Sequence, residues 1–339
     1  MAYTTIDDPT AYFQNTLFVG NQTARSITFD GNTDMQPDLV WIKPRDNGTW
    51  SHNLTDSVRG AGKGIFSDLN NATYDYGTGT DGSVRTFDSN GFSIGTATQV
   101  NNSSSNIVAW SWKKVAGVFD IQTYAGNNTG SRQVSHNLGV VPSLIIIKNL
   151  TNASSWWVGS TEIAFTWNTD YLQLNETAAK GTDGGGHIFG AVPTSSYFVP
   201  GDNNDTNGNS NNYVAYLFGN KQGVSKVGSY TGNGNADGTF VYTGFKPAWL
   251  LVKDTGGSGE GWELLDGTRS SFNVADKRLR ADNSNAESTG SNYYVDFLSN
   301  GFKQRNTQTS SNGSGETYIY MAFAKNPFVT STGVPATAR

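Results

Sequence analysis

The sequence predicts an all-β protein built from three tandem β-sandwich domains. Three observations carry this. Strand-forming and turn-forming residues dominate: aromatics make up 12% of the 339 residues, with Trp 9, Tyr 15 and Phe 18, and Gly reaches 40. Asn, Ser and Thr fill much of the remainder, while Met is only 3 and the strong helix formers are scarce. A repeat of about 105 residues runs through the chain: Pro37, Pro142 and Pro247 are each 105 apart, and each opens an apolar run that closes on a lysine, Lys43, Lys148 or Lys253. Finally, each copy ends in an aromatic-alternating segment: Ile107–Trp112, Tyr213–Phe218 or Tyr318–Phe323.

The elements follow in order within a copy. A first strand ends at an aromatic–x–Gly turn, Phe18-Val19-Gly20, Tyr124-Ala125-Gly126 or Tyr230-Thr231-Gly232. A short strand lies near Ser26–Phe29, Arg132–His136 or Gly238–Tyr242. The Pro-led run comes next, and its near-continuous apolar character predicts burial on both faces or a central place in a sheet. A Trp-bearing strand is expected near Trp50, Trp156-Trp157 or Trp262. Ser89-Asn90-Gly91-Phe92 returns 210 residues later as Ser299-Asn300-Gly301-Phe302, where Asn-Gly predicts a tight hairpin turn. Copy two carries Tyr197 at the position of Phe92.

The resulting organisation is an N-terminal arm (1–15), repeats at 16–115, 116–223 and 224–327, and a C-terminal tail (328–339). Seven to nine short strands per copy fit a sandwich, jelly-roll or immunoglobulin-like. A copy of this length can bury its own core, so the three are expected as separate beads on short junctions. Trp41, Trp110, Ile145, Ile147, Tyr216, Leu250 and Phe323 are the expected core.

The candidate ligand-binding residues are Asp56, Arg59, Asp266 and Arg269. The pairs Asp56–Arg59 and Asp266–Arg269 recur 210 residues apart, each downstream of a Trp, while copy two has Thr161 and Ala164 in their place. An acid and a guanidinium beside a Trp face suit a sugar clamp; the same pair also serves to hold a turn. Other motifs fall short. Arg59–Gly64 lacks the spacing and the strand–helix context of a phosphate loop. Gly201–Gly208 offers oxygen ligands, but with Gly208 as the turn glycine the twelfth position falls on Val214, so the bidentate glutamate of a calcium loop is missing. The six glutamates do not recur between copies, and nothing forms a nucleophile–His–acid set.

Composition excludes whole classes. Cys is zero, removing disulfides, thiolate catalysis and Cys-based metal sites. His52, His136 and His187 show no metal-ligand spacing and are expected as surface or loop residues. No cofactor and no metal are expected, and the chain is read as non-enzymatic. Lys+Arg 23 against Asp+Glu 28 leaves a net charge of −5, unsuited to nucleic acid. No apolar run reaches the roughly 18 residues of a membrane helix, and the start of the chain has no secretion-signal pattern.

Several segments resemble virion structural proteins of marine tailed phages: Met1–Pro9 with Thr16–Asn21, Met35–Lys43, Phe87–Phe92 and the closing Pro335–Arg339. The resemblance spans essentially the whole chain and is clearest in copies one and three. It implies a place on the surface of a phage particle, as a tail fibre or fibre-like appendage contributing to host attachment, or as a capsid decoration or head-fibre protein. A carbohydrate-binding module is a more distant reading. The implied partners are other virion proteins, further copies of the chain (a trimer in the case of a fibre) and a host surface glycan. The aromatic arm, with Tyr3, Ile6, Tyr12 and Phe13, is expected to dock the protein onto the particle or to fold back over the first sandwich.

Overall fold

The computed structural model describes residues 4–257 and 259–337. Copy one contains nine strands: β1 (Phe13–Val19), β2 (Arg25–Thr28), β3 (Leu39–Pro44), β4 (Asn53–Asp56), β5 (Lys63–Phe66), β6 (Tyr74–Asp75), β7 (Val84–Asp88), β8 (Gly91–Ile94) and β9 (Asn106–Trp112). They form a six-stranded sheet in the order β1-β9-β3-β4-β5-β6 and a three-stranded sheet in the order β2-β8-β7, with all pairings antiparallel. Copies two and three repeat both sheets in the same order. The protein is therefore three tandem β-sandwiches.

The continuous apolar character of the Pro-led strand has a simple origin. Val40 and Ile42 point between the two sheets of copy one, where they pack with Ile27, Phe92, Ile94 and Ile107. Leu39 and Trp41 point the other way, into a second core. Because side chains alternate along a strand, a segment between two cores must be apolar at every position. Copy two divides Ile145 and Ile147 from Leu144 and Ile146 in the same way, and copy three divides Leu250 and Val252 from Trp249 and Leu251.

The second core is common to all three copies. Trp41, Trp110 and Trp112 of copy one meet Phe119, Ile146, Trp156, Tyr216 and Phe218 of copy two and Trp249, Leu251, Trp262, Met321 and Phe323 of copy three in one buried cluster. Rings touch across copies, with Trp112–Trp249 centroids 5.4 Å apart and Phe218–Phe323 6.2 Å apart. The expectation of separate beads is corrected here: each copy buries one face within itself and the other against its two neighbours. All seven expected core residues are buried, but Trp41, Trp110, Tyr216 and Phe323 belong to the shared core and Ile145, Ile147 and Leu250 to the individual ones. Burying such a side chain contributes roughly 1.5–3 kcal/mol.

Equivalent backbone hydrogen bonds close the ring: Thr73 N–H to Leu150 O (3.1 Å), Lys180 N–H to Thr255 O (2.9 Å) and Glu287 N–H to Arg45 O (2.6 Å). These link copy one to two, two to three, and three back to one, so the copies stand in a closed pseudo-threefold order.

Three local expectations change. Strand β1 starts at Phe13, inside the segment assigned to the arm, and Phe13 joins the shared core. Ile6 and Tyr12 pack on that core as well, Thr4 donates to Gln222 O, and Asp7 accepts from Ser331 of the tail. The arm thus folds across the junction of copies two and three; Tyr3 lies outside the described residues. The hairpin loop before Phe92 is Ser89-Asn90, because Asp88 pairs with Gly91. Gly91 is instead required by crowding: a Cβ there would lie 2.1 Å from Ile27 O, and its φ is +126°. In copy two Phe198, opposite Val134, takes the place of Phe92 opposite Ile27, and Tyr197 sits one residue earlier.

Candidate functional site

The four candidate residues sit at the seams between copies, and their side chains are buried. Asp56 ends β4. Its Oδ1 accepts the backbone N–H groups of Val58 and Arg59, closing a turn, and its Oδ2 pairs with Arg59 Nε at 2.5 Å. The hydroxyl of Tyr216, from copy two, donates to the same Oδ2 at 2.7 Å. Copy three repeats the arrangement around Asp266 and Arg269, with Nε–Oδ2 at 2.5 Å, and there Trp110 Nε1 of copy one donates to Oδ2 at 2.9 Å. Burial works against the Asp266 carboxylate, but Arg269 outweighs it and holds the acid below the usual range. Burial likewise raises the Tyr216 phenol far above its ordinary value. Each pair fastens its own turn and anchors a donor from the next copy. In copy three the Arg269 guanidinium lies over a Trp face, but the ring is the buried Trp110 of copy one, 5.5 Å from the guanidinium carbon, and not the upstream Trp262.

Copy two explains its own departure. Trp110, Tyr216 and Met321 occupy one repeat position. Tyr216 serves the acid of copy one and Trp110 that of copy three. In the ring order, Met321 faces the copy-two seam and has no N–H or O–H to give. By strand register copy two has Ser160 in place of the acid, one residue before the Thr161 that spacing predicts, and Ile163 in place of the guanidinium, packed on the shared core. Donor, acid and guanidinium are absent together, which avoids leaving one of them buried alone.

A second set of seam contacts escapes sequence reading. Trp156 Nε1 donates to Phe66 O at 2.8 Å and Leu69 O at 3.1 Å, and Trp262 Nε1 donates to Gln173 O at 2.8 Å. The strand register shows that the equivalent residue in copy one is His52 and not Trp50, since Ile42, Ile147 and Val252 pair with Asn53, Trp157 and Glu263, the residues that follow His52, Trp156 and Trp262. His52 is fully buried, so the expectation of a surface histidine fails for it. Its Nδ1 accepts Trp41 Nε1–H at 2.8 Å, which leaves the proton on Nε2, facing the carbonyls of Arg280 and Asn283 without closing a regular hydrogen bond. Burial pushes its pKa well down. His136 is also largely buried, whereas His187 is exposed and pairs with Asp202 at 2.6 Å.

The three repeat lysines are buried at the same seams, each ammonium wrapped in carbonyls. Lys148 Nζ donates to Asn70 O, Asn149 O and Ser154 O, and Lys253 to Thr177 O and Glu260 O. Lys43 donates to Pro44 O and Asn47 O. Burial lowers their pKa values to about 8 for Lys43, about 7 for Lys148 and about 8 for Lys253. Asp68 partly offsets this for Lys43, Asp254 and Asp282 for Lys253, and Asp205 for Lys148, where the position matching Asp68 and Asp282 is the uncharged Asn175. In the polar loop Gly201–Gly208, Asn207 Nδ2 donates to Thr129 O and Gly201 O, as Asn101 and Asn312 do in their own copies. Those loop groups are engaged within the fold, and among the described residues no cluster of acids and histidines could hold a metal.

An open cleft of about 510 Å³ lies at the seam of copies one and two. Val58, Arg59, Lys63 and Thr73 line one side, and Thr123, Ala125, Leu150, Thr151 and Asn212 the other.

A family model described as Domain of unknown function (DUF7483) matches residues 8–327. The chain belongs to this family. The DUF7483 match runs from the arm through the last strand of copy three, so the unit it describes is the closed ring of three sandwiches and not one repeat. No curated protein and no solved structure matches the chain significantly.

Proposed function

We infer that this chain is a non-enzymatic structural protein of a phage particle, carried on its surface as a tail fibre or fibre-like appendage that contributes to host attachment. One geometric observation supports the reading beside the sequence resemblance: a single chain sets three sandwiches about one axis, the symmetry of a trimeric fibre. The recurring Asp–Arg pairs each fasten their own turn and anchor a donor from the next copy, which supports a structural role for them. The partners in this reading are other virion proteins and, at the outer end, a host surface glycan. Self-association in this reading does not draw on Trp41, Trp110 or Trp112, which lie in the shared core.

A second reading draws on the same ring. A chain that supplies its own pseudo-threefold needs no homotrimer to sit on a threefold element, which favours a capsid decoration or head-fibre protein. Cryo-electron microscopy of particles carrying a gold-labelled version of the protein separates the two. Label at one vertex or on the tail supports the fibre reading, and label spread over the shell supports decoration. Particles without label at any site would overturn both.

A further inference from the structure

We propose that the cleft between copies one and two binds a carboxylate-bearing sugar, a hexuronate or a chain that contains one. The repeat makes the three seams equivalent, and they differ at two facing positions. The position of Thr73 is held by Lys180 in copy two and Glu287 in copy three, as the ring-closing bonds show. The position of Leu150 is held by Thr255 and Arg45.

At the seam of copies three and one, Glu287 fills the site. Its carboxylate accepts from Arg269 Nη1 at 3.0 Å and makes a two-point pair with Arg45, at 2.8 and 2.9 Å. At the seam of copies two and three the guanidinium is gone, replaced by Ile163, and Lys180 pairs with Asp170. Only the seam of copies one and two keeps the guanidinium and lacks the acid.

There, Arg59 gives Nε to Asp56, Nη1 to Lys63 O, and Nη2 to Leu54 O and Tyr216. A guanidinium has five N–H groups, so one on Nη1 is left over. In copy three Nη1 is the nitrogen that binds Glu287. Thr73 Oγ1, where Glu287 would stand, is buried and has no hydrogen-bond partner. Lys63 adds a second cation; its pairing with Asp75 lies at an exposed rim, where such pairs are weak and exchange readily. The opposite wall offers Thr123, Thr151 and Asn212, all exposed and suited to sugar hydroxyls. A carboxylate carried on a hydroxylated ring matches both walls.

The test uses the full chain with D-glucuronate, D-glucose and acetate as probes, followed by NMR titration. Glucuronate should bind with a Kd of order 1 mM, at least tenfold tighter than glucose or acetate. Glucose binding as tightly would overturn the carboxylate assignment, acetate binding as tightly would overturn the sugar and point to acidic protein partners, and absence of glucuronate binding at about 50 mM would overturn the site. Thr73→Glu supplies the acid that copy three already carries. It should abolish glucuronate binding and keep or raise Tm; retained binding would show that the ligand sits elsewhere. Should that variant fail to fold, Lys63→Gln, an exposed change, should weaken binding severalfold, and unchanged affinity would overturn the proposal.

Discussion

The seams on either side of copy one are built from the same parts and end in different states. Toward copy three, Asp266, Arg269, Glu287 and Arg45 form a buried network in which both guanidinium groups are met by carboxylates. Toward copy two, Asp56 and Arg59 remain, but Thr73 and Leu150 stand where Glu287 and Arg45 would, and the space between them is open. A duplicated framework has kept the fastener that holds its turns and varied the residues next to it. One seam is sealed by an ionic network, and the other keeps a cation facing a cleft.

The largest effect should come from breaking the ring outright. Residues 8–115 expressed alone would expose Trp41, Trp110, Trp112, Leu54 and Ile65, which in the whole chain are covered by copies two and three. Loss of that cover costs of order 10 kcal/mol across five such side chains, about as much as the whole stability of a small domain. The excised copy should show no cooperative thermal unfolding by circular dichroism. A sharp monomeric transition would restore the picture of independent beads.

The next test sets the seams against each other. Asp266→Ala leaves Arg269 buried beside one remaining acid and orphans Trp110 Nε1, and should cost about 3–5 kcal/mol in urea unfolding. Asp56→Ala should cost less, about 2–3 kcal/mol, because Arg59 borders a cleft that water can enter. Equal losses would mean that the cleft gives Arg59 no relief.

These contrasts also mark what the sequence could and could not reveal. The repeat, the strand order within a copy and the buried Pro-led strands were legible because period and alternation are local. The doubly apolar β3 even carried the clue to a second core: Leu39 and Trp41 had to face something. That the something was two other copies was not legible, because a self-contained sandwich explains the same pattern. His52 was missed for a related reason. Trp50 satisfied the expected aromatic, and only the register that pairs Ile42 with Asn53 shows that the preceding His52 is the equivalent residue. Asp56 and Arg59 were found as a pair, but their partner Tyr216 is 160 residues away and no local spacing announces it.

The buried lysines give a pH test of the same asymmetry. A lysine whose folded pKa is depressed is protonated in both states at low pH, and the folded state then carries the buried charge. As pH rises past about 7, folded Lys148 releases its proton while the unfolded side chain holds its own up to about 10.5. The unfolded state binds more protons, so stability rises with pH across that window, by about 2 kcal/mol between pH 7 and pH 9. Asn175→Asp places beside Lys148 the acid that its counterparts have, and keeps an oxygen for Trp156 N–H, which Asn175 now accepts at 2.8 Å. The variant should flatten the rise in urea midpoint over this range. An unchanged slope would assign it to other groups.

The smallest effect compares two tryptophans that do the same work at successive seams. Trp156→Phe removes the indole N–H from Phe66 O and Leu69 O, while Trp262→Phe removes it from Gln173 O alone. In each case most of the apolar ring stays in the shared core, so the loss is chiefly of hydrogen bonds to buried carbonyls. One net hydrogen bond contributes about 0.5–1.5 kcal/mol, and two acceptors left bare should cost more than one. Trp156→Phe is therefore expected to lower stability by about 1.5–2 kcal/mol and Trp262→Phe by about 1 kcal/mol, measured as urea midpoints at fixed slope. The reverse order would mean that the seam of copies two and three is the tighter one, and that water reaching the cleft side already satisfies the carbonyls around Trp156.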